Sequence, residues 1–343
     1  MRTLLVGYRA ADLTPELLEG DVTCHVLDIY HRHAIEKVHH VKAVCSPHLP
    51  EGPWDVVKFK TGPKIHSGEL ALDLLQECCR VSGFRFQVSG SEDRVTGCRV
   101  EVEFEGRERD RNDLLNKIKN DPKRVRSFKA EWPASVPGGD KLMFTSYPGC
   151  FCHRRLDEGG LALAEVVCRE LCQRQSSQIP DSKSQIPDFR LLDMGCGCGL
   201  VGLLIADRMR KAAIHNSSFN IQHLILVDSH SRAVEAATEN AAKFGIPAEV
   251  ILSDNGTPKR LDGTFDVFVG NPPYYSDYRI AEVFLETAVR ALKPGGVCYQ
   301  VVKNAAGLEP VQRRYFPDVE VIRRRNYCVL KSVKPVASRA ANR

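Results

Sequence analysis

Residues 189–206 read FRLLDMGCGCGLVGLLIA. An apolar strand, Phe189–Met194, runs into glycines at every second position, and a helical apolar pattern begins where they end. A chain with this order must leave a buried strand through a tight turn and enter a helix. Gly195, Gly197 and Gly199 permit that turn and let the backbone approach a ligand closely. Asp193 stands at the end of the strand.

The C-terminal half continues the alternation. His223–Asp228, Ala248–Leu252, Phe265–Val269 and Val297–Val302 read as strands; Gly199–Arg210, Ser231–Phe244 and Arg279–Leu292 read as helices. Gly245 and Pro247 stop the second helix, and Lys293-Pro294-Gly295-Gly296 stops the third. Val319–Arg323 and Tyr327–Lys331 form a terminal hairpin. Strands alternating with helices imply a mostly parallel, doubly wound α/β sheet. The N-terminal half reads as a worn copy of the plan: strands Thr3–Gly7, Cys24–Asp28, Trp54–Phe59 and Phe84–Ser89, and a helix over Leu70–Cys79. Where a copy of NPPY would sit the text is KFKTGPK, so the chemistry is missing from this copy, and an unrelated α/β domain is the alternative. The expected division is 1–135, 136–334 and a basic tail, 335–343. Pro133–Gly139 (PASVPGG) marks the junction. The SQIPD repeat (Ser177–Asp181 and Ser184–Asp188) is polar and aperiodic, and reads as a disordered insertion.

With 343 residues, 43% of them hydrophobic, the chain can bury two cores. It has no apolar run long enough to span a bilayer, and its N-terminus reads as a first strand instead of a leader. The thirteen cysteines are odd in number and lack paired CxxC spacings. Reduced thiols and a cytoplasmic protein are expected. Cys150-Phe-Cys152-His153 is a weak zinc pattern, and no metal is assigned. Val311–Arg343 carries nine Lys or Arg against Asp318 and Glu320, and Arg107–Lys129 carries nine against four acids. Either run could be a solvated face; together they suit a polyanionic partner such as nucleic acid.

Asp228 ends the strand after the glycine loop, placed to accept hydrogen bonds from a ribose diol. Dinucleotide and S-adenosylmethionine readings compete here. A dinucleotide site usually has GxGxxG and a pyrophosphate at the helix N-terminus. The spacing here is GxGxG, and Asp193 just before it suits a cationic, phosphate-free cofactor, because a carboxylate can bond an ammonium group.

Residues 266–278 read DVFVGNPPYYSDY. Two prolines cannot continue a sheet interior, since neither has an N–H to give. Asp193–Gly199, Asp228 and Asn271-Pro272-Pro273-Tyr274, in that order, resemble the Rossmann-fold methyltransferases of exocyclic amino groups. The upstream segment TSYPGCFCHRRLDEGGLALAEVV resembles a narrower group, the bacterial ribosomal RNA guanine-N2 methyltransferases of the small and large subunits. The likeness is weak over 1–130 and clear over 142–330. The SQIPD insertion and Cys152, where serine is expected, depart from the pattern.

The resemblance implies two Rossmann-like methyltransferase domains in tandem. The C-terminal one would be a seven-stranded catalytic domain using S-adenosylmethionine, the N-terminal one degenerate and RNA-positioning. It implies methyl transfer to a guanine N2 of ribosomal RNA, free or in a ribosomal subunit, by a monomer. NPPY alone leaves adenine N6 of DNA or a protein glutamine as other targets, and a non-catalytic RNA-binding scaffold is a further alternative. Asn271's side-chain oxygen and the Pro272 carbonyl would accept from the target amine. Pro273 would stiffen the turn, and Tyr274, with Tyr275, would stack on the base. Asp193, Gly195, Gly197, Gly199, Asp228 and Asn271 would line the cofactor. Asp254 is a candidate for its adenine amino group or for a cap, and Phe151 for packing on the cofactor or in the core. His31, His33, His39 and His40 have no ligand spacing and receive no catalytic role.

Overall fold

The computed structural model describes residues 1–81, 98–119, 127–177, 188–215, 220–273 and 278–336. The chain divides into two compact units. One comprises Met1–Ala130 with Tyr147–Cys150 and His230–Arg232; the other comprises Glu131–Ser146, Phe151–Ser229 and Ala233–Arg343.

In chain order the first unit holds β1 (Arg2–Val6), β2 (Asp21–Val26), α1 (Ile29–His39), β3 (Lys42–Cys45), β4 (Val56–Thr61), α2 (Gly68–Val81), β5 (Arg99–Phe104) and α3 (Glu108–Lys119). Its sheet has the order β3-β2-β1-β4-β5, and every neighbouring pair is parallel. One core lies between the sheet and α2, where Leu4, Val57 and Phe59 meet Leu70, Leu74, Leu75 and Cys78. These α2 residues recur at helical spacing, which is why the segment forms an amphipathic helix. A second core joins Leu5, Cys24 and Val26 to Ile35 of α1.

The chain then forms β6 (Ala130–Ala134) and β7 (Leu142–Ser146), a two-stranded sheet, followed by α4 (Glu158–Ser177). Next come β8 (Asp188–Met194), α5 (Leu200–His215), β9 (Asn220–Asp228), α6 (Ser231–Lys243), β10 (Ala248–Leu252), β11 (Phe265–Gly270), α7 (Arg279–Ala291), β12 (Leu292–Val302), α8 (Ala305–Arg313), β13 (Glu320–Arg324) and β14 (Tyr327–Val333). The seven-stranded sheet has the order β10-β9-β8-β11-β12-β14-β13; the first five strands are parallel and the terminal hairpin is antiparallel. Leu191 and Leu192 of β8, and Val267, Phe268 and Val269 of β11, are fully buried. Consecutive burial of this kind marks strands covered on both faces. Ala281, Phe284, Leu285 and Ala288 turn the apolar stripe of α7 onto that sheet.

Several expectations shift. The PASVPGG stretch, read as a junction, is structured: Pro133 and Ala134 belong to β6, whose buried Trp132 stacks on Phe144. Lys293–Gly296 follows the end of α7 at Ala291, as read, but also lies inside β12, where Pro294 and Gly295 are exposed and the pairing with β11 shifts register. Asp28, read as the end of a strand, caps α1 by accepting from the Tyr30 N–H at 2.8 Å. The strand expected at Phe84–Ser89, most of the SQIPD repeat, Tyr274, Tyr275 and residues 337–343 of the tail lie outside the described residues. Among the described residues, no helix is long and apolar enough to cross a membrane.

Candidate active site

Between β8 and α5, Gly195, Gly197 and Gly199 have φ of +67°, +55° and +85°. Side chains rarely adopt these angles, so glycine is required. The Gly195 and Cys196 N–H groups donate to the Val227 carbonyl at 2.8 and 3.0 Å. The Gly197 N–H donates to Asp228 Oδ2 at 2.9 Å. The glycines differ in surroundings. A Cβ on Gly195 would lie 2.7 Å from the Phe284 ring of α7, whereas one on Gly197 would meet nothing within 4 Å. The loop therefore packs on α7 at Gly195 and faces open space at Gly197.

Asn240 on α6 steadies the loop from the other side. Its fully buried amide donates to the Cys198 and Thr145 carbonyls, both at 2.9 Å, and accepts from the Thr145 N–H at 2.8 Å. The sequence reading missed this residue; the available signal was a polar side chain among the apolar positions Ala236, Ala237 and Ala241 of α6.

Asp193 is 1% exposed, and its Oδ2 accepts from the Gly202 N–H of α5 at 2.8 Å. Burial pushes its pKa up to about 7; the Gly202 N–H works against this, and the charges of Asp228 and Asp157 add to it. The charges of Asp228 and Asp157 beside Asp193, which is itself only part-ionised near neutral pH, give this end of the sheet a negative field. Such a field favours a cationic ligand and opposes a pyrophosphate. The donor set fits S-adenosylmethionine: glycines that admit close approach, a strand-end acid beside them and an excess of negative charge.

Asn271 follows Gly270, which pairs with Met194 of β8 and with Gln300 of β12. The turn thus begins at a central strand end, beside the glycine loop. Asn271 Nδ2 donates to Asp157 Oδ2 at 2.8 Å. Asp157 precedes α4, and its other oxygen accepts from the Gly159 N–H at 3.0 Å. Burial raises the Asp157 pKa, against the Gly160 N–H, the Asn271 amide and the Gly159 N–H, which lower it. With the amide nitrogen committed to Asp157, the opposite end of the Asn271 side chain presents its oxygen as an acceptor. Pro272 is buried and Pro273 half-buried. Asp157 was quoted in the sequence only as part of LDEGG, with no role.

The softer assignments divide. Asp254 lies half-buried just after β10, where the Ser253 N–H donates to the Asp228 carbonyl at 2.9 Å. It caps no helix, since the short 3-10 turn that follows starts after Pro258. Phe151 is 67% exposed, so it is no core residue. His153 Nδ1 meets Ser146 Oγ at 3.0 Å, and the described residues contain no group of three His, Cys, Asp or Glu able to hold a metal ion.

The basic runs change character. Arg324, at the end of β13, and Arg325, in the turn after it, engage Glu165 of α4 at 2.5 and 2.8 Å. Arg313, Arg314 and Lys331 meet Glu309, Glu282 and Glu170. These cations brace the second unit's own helices, so the hairpin offers less charge to a phosphate backbone than its sequence suggests. At α3, Arg107 just before the helix pairs with Asp110, and Lys117 pairs with Asp113.

Residues 141–331, more than half of the chain, match the family described as methyltransferase small domain. Ribosomal RNA small subunit methyltransferase C of Hahella chejuensis is 32% identical over 161 residues, 46% of this chain and 39% of that protein. The protein of the same name from Pseudomonas aeruginosa is 31% identical over 188 residues, 53% of this chain and 48% of the relative. The chain thus spans about half the length of these relatives or less. Among solved structures, the T. thermophilus 16S rRNA N2 G1207 methyltransferase in complex with AdoMet and guanosine superposes with a TM-score of 0.72. That match covers 97% of this chain and 88% of the other at 16% identity, a likeness of fold.

Proposed function

This chain belongs to the methyltransferase small domain family, and we propose that it transfers a methyl group from S-adenosylmethionine to the exocyclic N2 of a guanine in ribosomal RNA. The observation that carries this reading is the orientation of the Asn271 amide, fixed by Asp157 at 2.8 Å on the strand end beside the glycine loop.

The nitrogen of a guanine amino group is a poor nucleophile, because its lone pair is delocalised into the ring. Asn271 Oδ1 and the Pro272 carbonyl accept from its two N–H bonds and favour the pyramidal geometry that attack needs. The prolines fix φ on either side, so these acceptors require little reorganisation. Tyr274 offers a ring for the base to stack on. Asp228 takes the ribose hydroxyls of the cofactor, Asp254 the adenine amino group, and Phe151 closes over it. Gly195, Gly197 and Gly199 bring the backbone close, and Asp193, once ionised, adds negative charge beneath the loop. The bound cofactor supplies an electrophilic methyl on a sulfonium. Most of the acceleration comes from holding nitrogen and methyl in line.

In this reading the first unit is a degenerate copy of the catalytic one and helps to position RNA. The relatives' names and the basic α3 region support ribosomal RNA as the substrate. The test is transfer of tritiated methyl to ribosomal subunits and rRNA from a strain lacking the gene, followed by nucleoside analysis. Label in N2-methylguanosine, lost with Asn271→Ala, is expected. Label in adenine or in protein would discard the guanine assignment.

A further inference from the structure

The first unit contains a cavity of about 270 Å³ lined by residues just beyond the carboxyl ends of β1, β2 and β4. The order β3-β2-β1-β4-β5 changes direction between β1 and β4. Open α/β sheets bind ligands in the crevice at such a point. The second unit reverses in the same way between β8 and β11, where its glycine loop and Asn271 stand. The first unit therefore keeps the architectural position of a ligand site, although its sequence has lost the glycine triplet.

The walls have a specific chemistry. Leu70 and Leu74 of α2 form an apolar side. The His66 ring is stacked on Phe59, with centroids 5.9 Å apart and planes at 13°, so its orientation is fixed. Burial, aided by the charges of Arg9 and Arg232, pushes the His66 pKa down to about 4, and the ring is neutral at physiological pH. Its Nδ1 meets Thr61 Oγ1 at 3.1 Å, which leaves Nε2 to make one hydrogen bond to a ligand such as a nucleobase. At Gly7, φ is +80° and a Cβ would lie 2.8 Å from the His66 ring, so the backbone comes close to the cavity.

Charged groups mark the other parts of a ligand. Asp28, half-buried two residues beyond β2, is suited to ribose hydroxyls; a carboxylate accepts several hydrogen bonds, so this is compatible with its cap on α1. Arg9 is exposed on the lining and suited to a phosphate. The volume lies just below the roughly 300–1,000 Å³ of ordinary ligand pockets, so the cavity can enclose no more than a base and its ribose, with a phosphate left at the exposed Arg9.

We propose that this cavity binds one ribonucleotide, either free or as an unstacked residue of an RNA strand. The proposal goes beyond the methyl-transfer reading and stands independently of it.

The experiment is calorimetric titration of the full chain with guanosine and adenosine 5′-monophosphates. The variants are Asp28→Asn, which keeps the helix cap, His31→Trp, which fills the cavity from the half-buried start of α1, and Asn271→Ala. Binding is expected to weaken at least about tenfold, or 1.4 kcal/mol, in Asp28→Asn. It should vanish in His31→Trp and persist in Asn271→Ala. No binding at millimolar nucleotide, binding indifferent to both cavity variants, or binding lost only with Asn271→Ala would overturn the proposal. Anisotropy of a labelled single-stranded RNA separates the two sources. Weakening by the same cavity variants identifies an RNA residue as the occupant. Unchanged RNA binding beside lost monophosphate binding identifies a free nucleotide.

Discussion

Asn271 donates its side-chain amide to Asp157 across 114 positions of sequence. The contact joins the last residue before the two prolines to the N-terminal turn of α4, where Asp157 also accepts from the Gly159 N–H. The proposed substrate acceptor is thus aimed by a carboxylate anchored on a helix start. Asp157 is a positioning residue: it acts on the proposed substrate amine only through Asn271.

Replacing Asp157 with alanine should release the Asn271 amide to rotate. We expect kcat for methyl transfer to fall by about tenfold to a hundredfold, the usual cost of a misplaced reacting group. Affinity for S-adenosylmethionine should change little, because the glycine loop is untouched. Asp157→Asn should recover part of the loss, since its oxygen can still accept from Asn271. Single-turnover rates and calorimetric cofactor affinities check both statements. Equal loss of rate and cofactor affinity in the alanine variant would mean that Asp157 serves the fold as a whole.

Asp193 makes a prediction about pH. Burial raises its folded pKa to about 7 from an ordinary 3.8. Between those values the folded state holds a proton that the unfolded state has released. The charged carboxylate therefore subtracts stability progressively as pH rises from 4 to 7, and by a constant amount above that. Asp193→Asn keeps an acceptor for the Gly202 N–H and removes the penalty. It should match the wild type near pH 4 and exceed it at pH 8, by up to about 4 kcal/mol. In the wild type, affinity for a cationic cofactor should strengthen as pH rises through 7, and the asparagine variant should flatten that dependence. Denaturant melts and cofactor titrations at the two pH values decide this.

Much of the second unit was legible because its signals are local. The strand at Phe189–Met194, the three glycines and the Asn-Pro-Pro turn each specify backbone geometry within a few residues, and the positive φ values at the glycines follow from that chemistry. Asp157 and Asn240 were not legible, because their roles exist only across 114 and 95 positions of sequence. The arginines of the terminal hairpin misled for the same reason: Glu165, which Arg324 meets, lies 159 positions away. In the first unit, β3 is four residues long and α3 is mostly polar, so neither stands out from a loop.

Gly195 and Gly197 should respond differently to alanine. Both need a positive φ, which costs a side chain roughly 1–2 kcal/mol. At Gly195 the new methyl would also press on the Phe284 ring at 2.7 Å, whereas at Gly197 it would meet no protein atom within 4 Å. Gly195→Ala should therefore destabilise the protein markedly. Gly197→Ala should lose only the roughly 1–2 kcal/mol of the backbone strain, and at least tenfold in cofactor affinity, about 1.4 kcal/mol, because its methyl enters the space assigned to the ligand. Thermal melts with and without S-adenosylmethionine separate the two effects. A Gly197→Ala protein with unchanged cofactor affinity would move the binding site away from this loop.

Glu165 ties the terminal hairpin to α4. Its side chain is 5% exposed and meets Arg324 at 2.5 Å and Arg325 at 2.8 Å. Burial pushes its pKa up, but the Arg325 and Arg324 guanidinium groups more than offset this, and the net shift is downward. A lowered folded pKa means that the pair contributes fully above the ordinary glutamate range and loses its contribution as pH falls through the folded value. Both arginines remain about two-fifths exposed, so solvent screens the pair. We expect Glu165→Ala to cost about 2 kcal/mol at neutral pH, below the roughly 3–5 kcal/mol of a fully buried broken pair. The difference from wild type should shrink as pH drops below 4.5, the ordinary value for this carboxyl. Urea denaturation of both proteins across that range measures it. A difference that holds constant down to strong acid would show that Glu165 stabilises α4 through packing and not through the hairpin arginines.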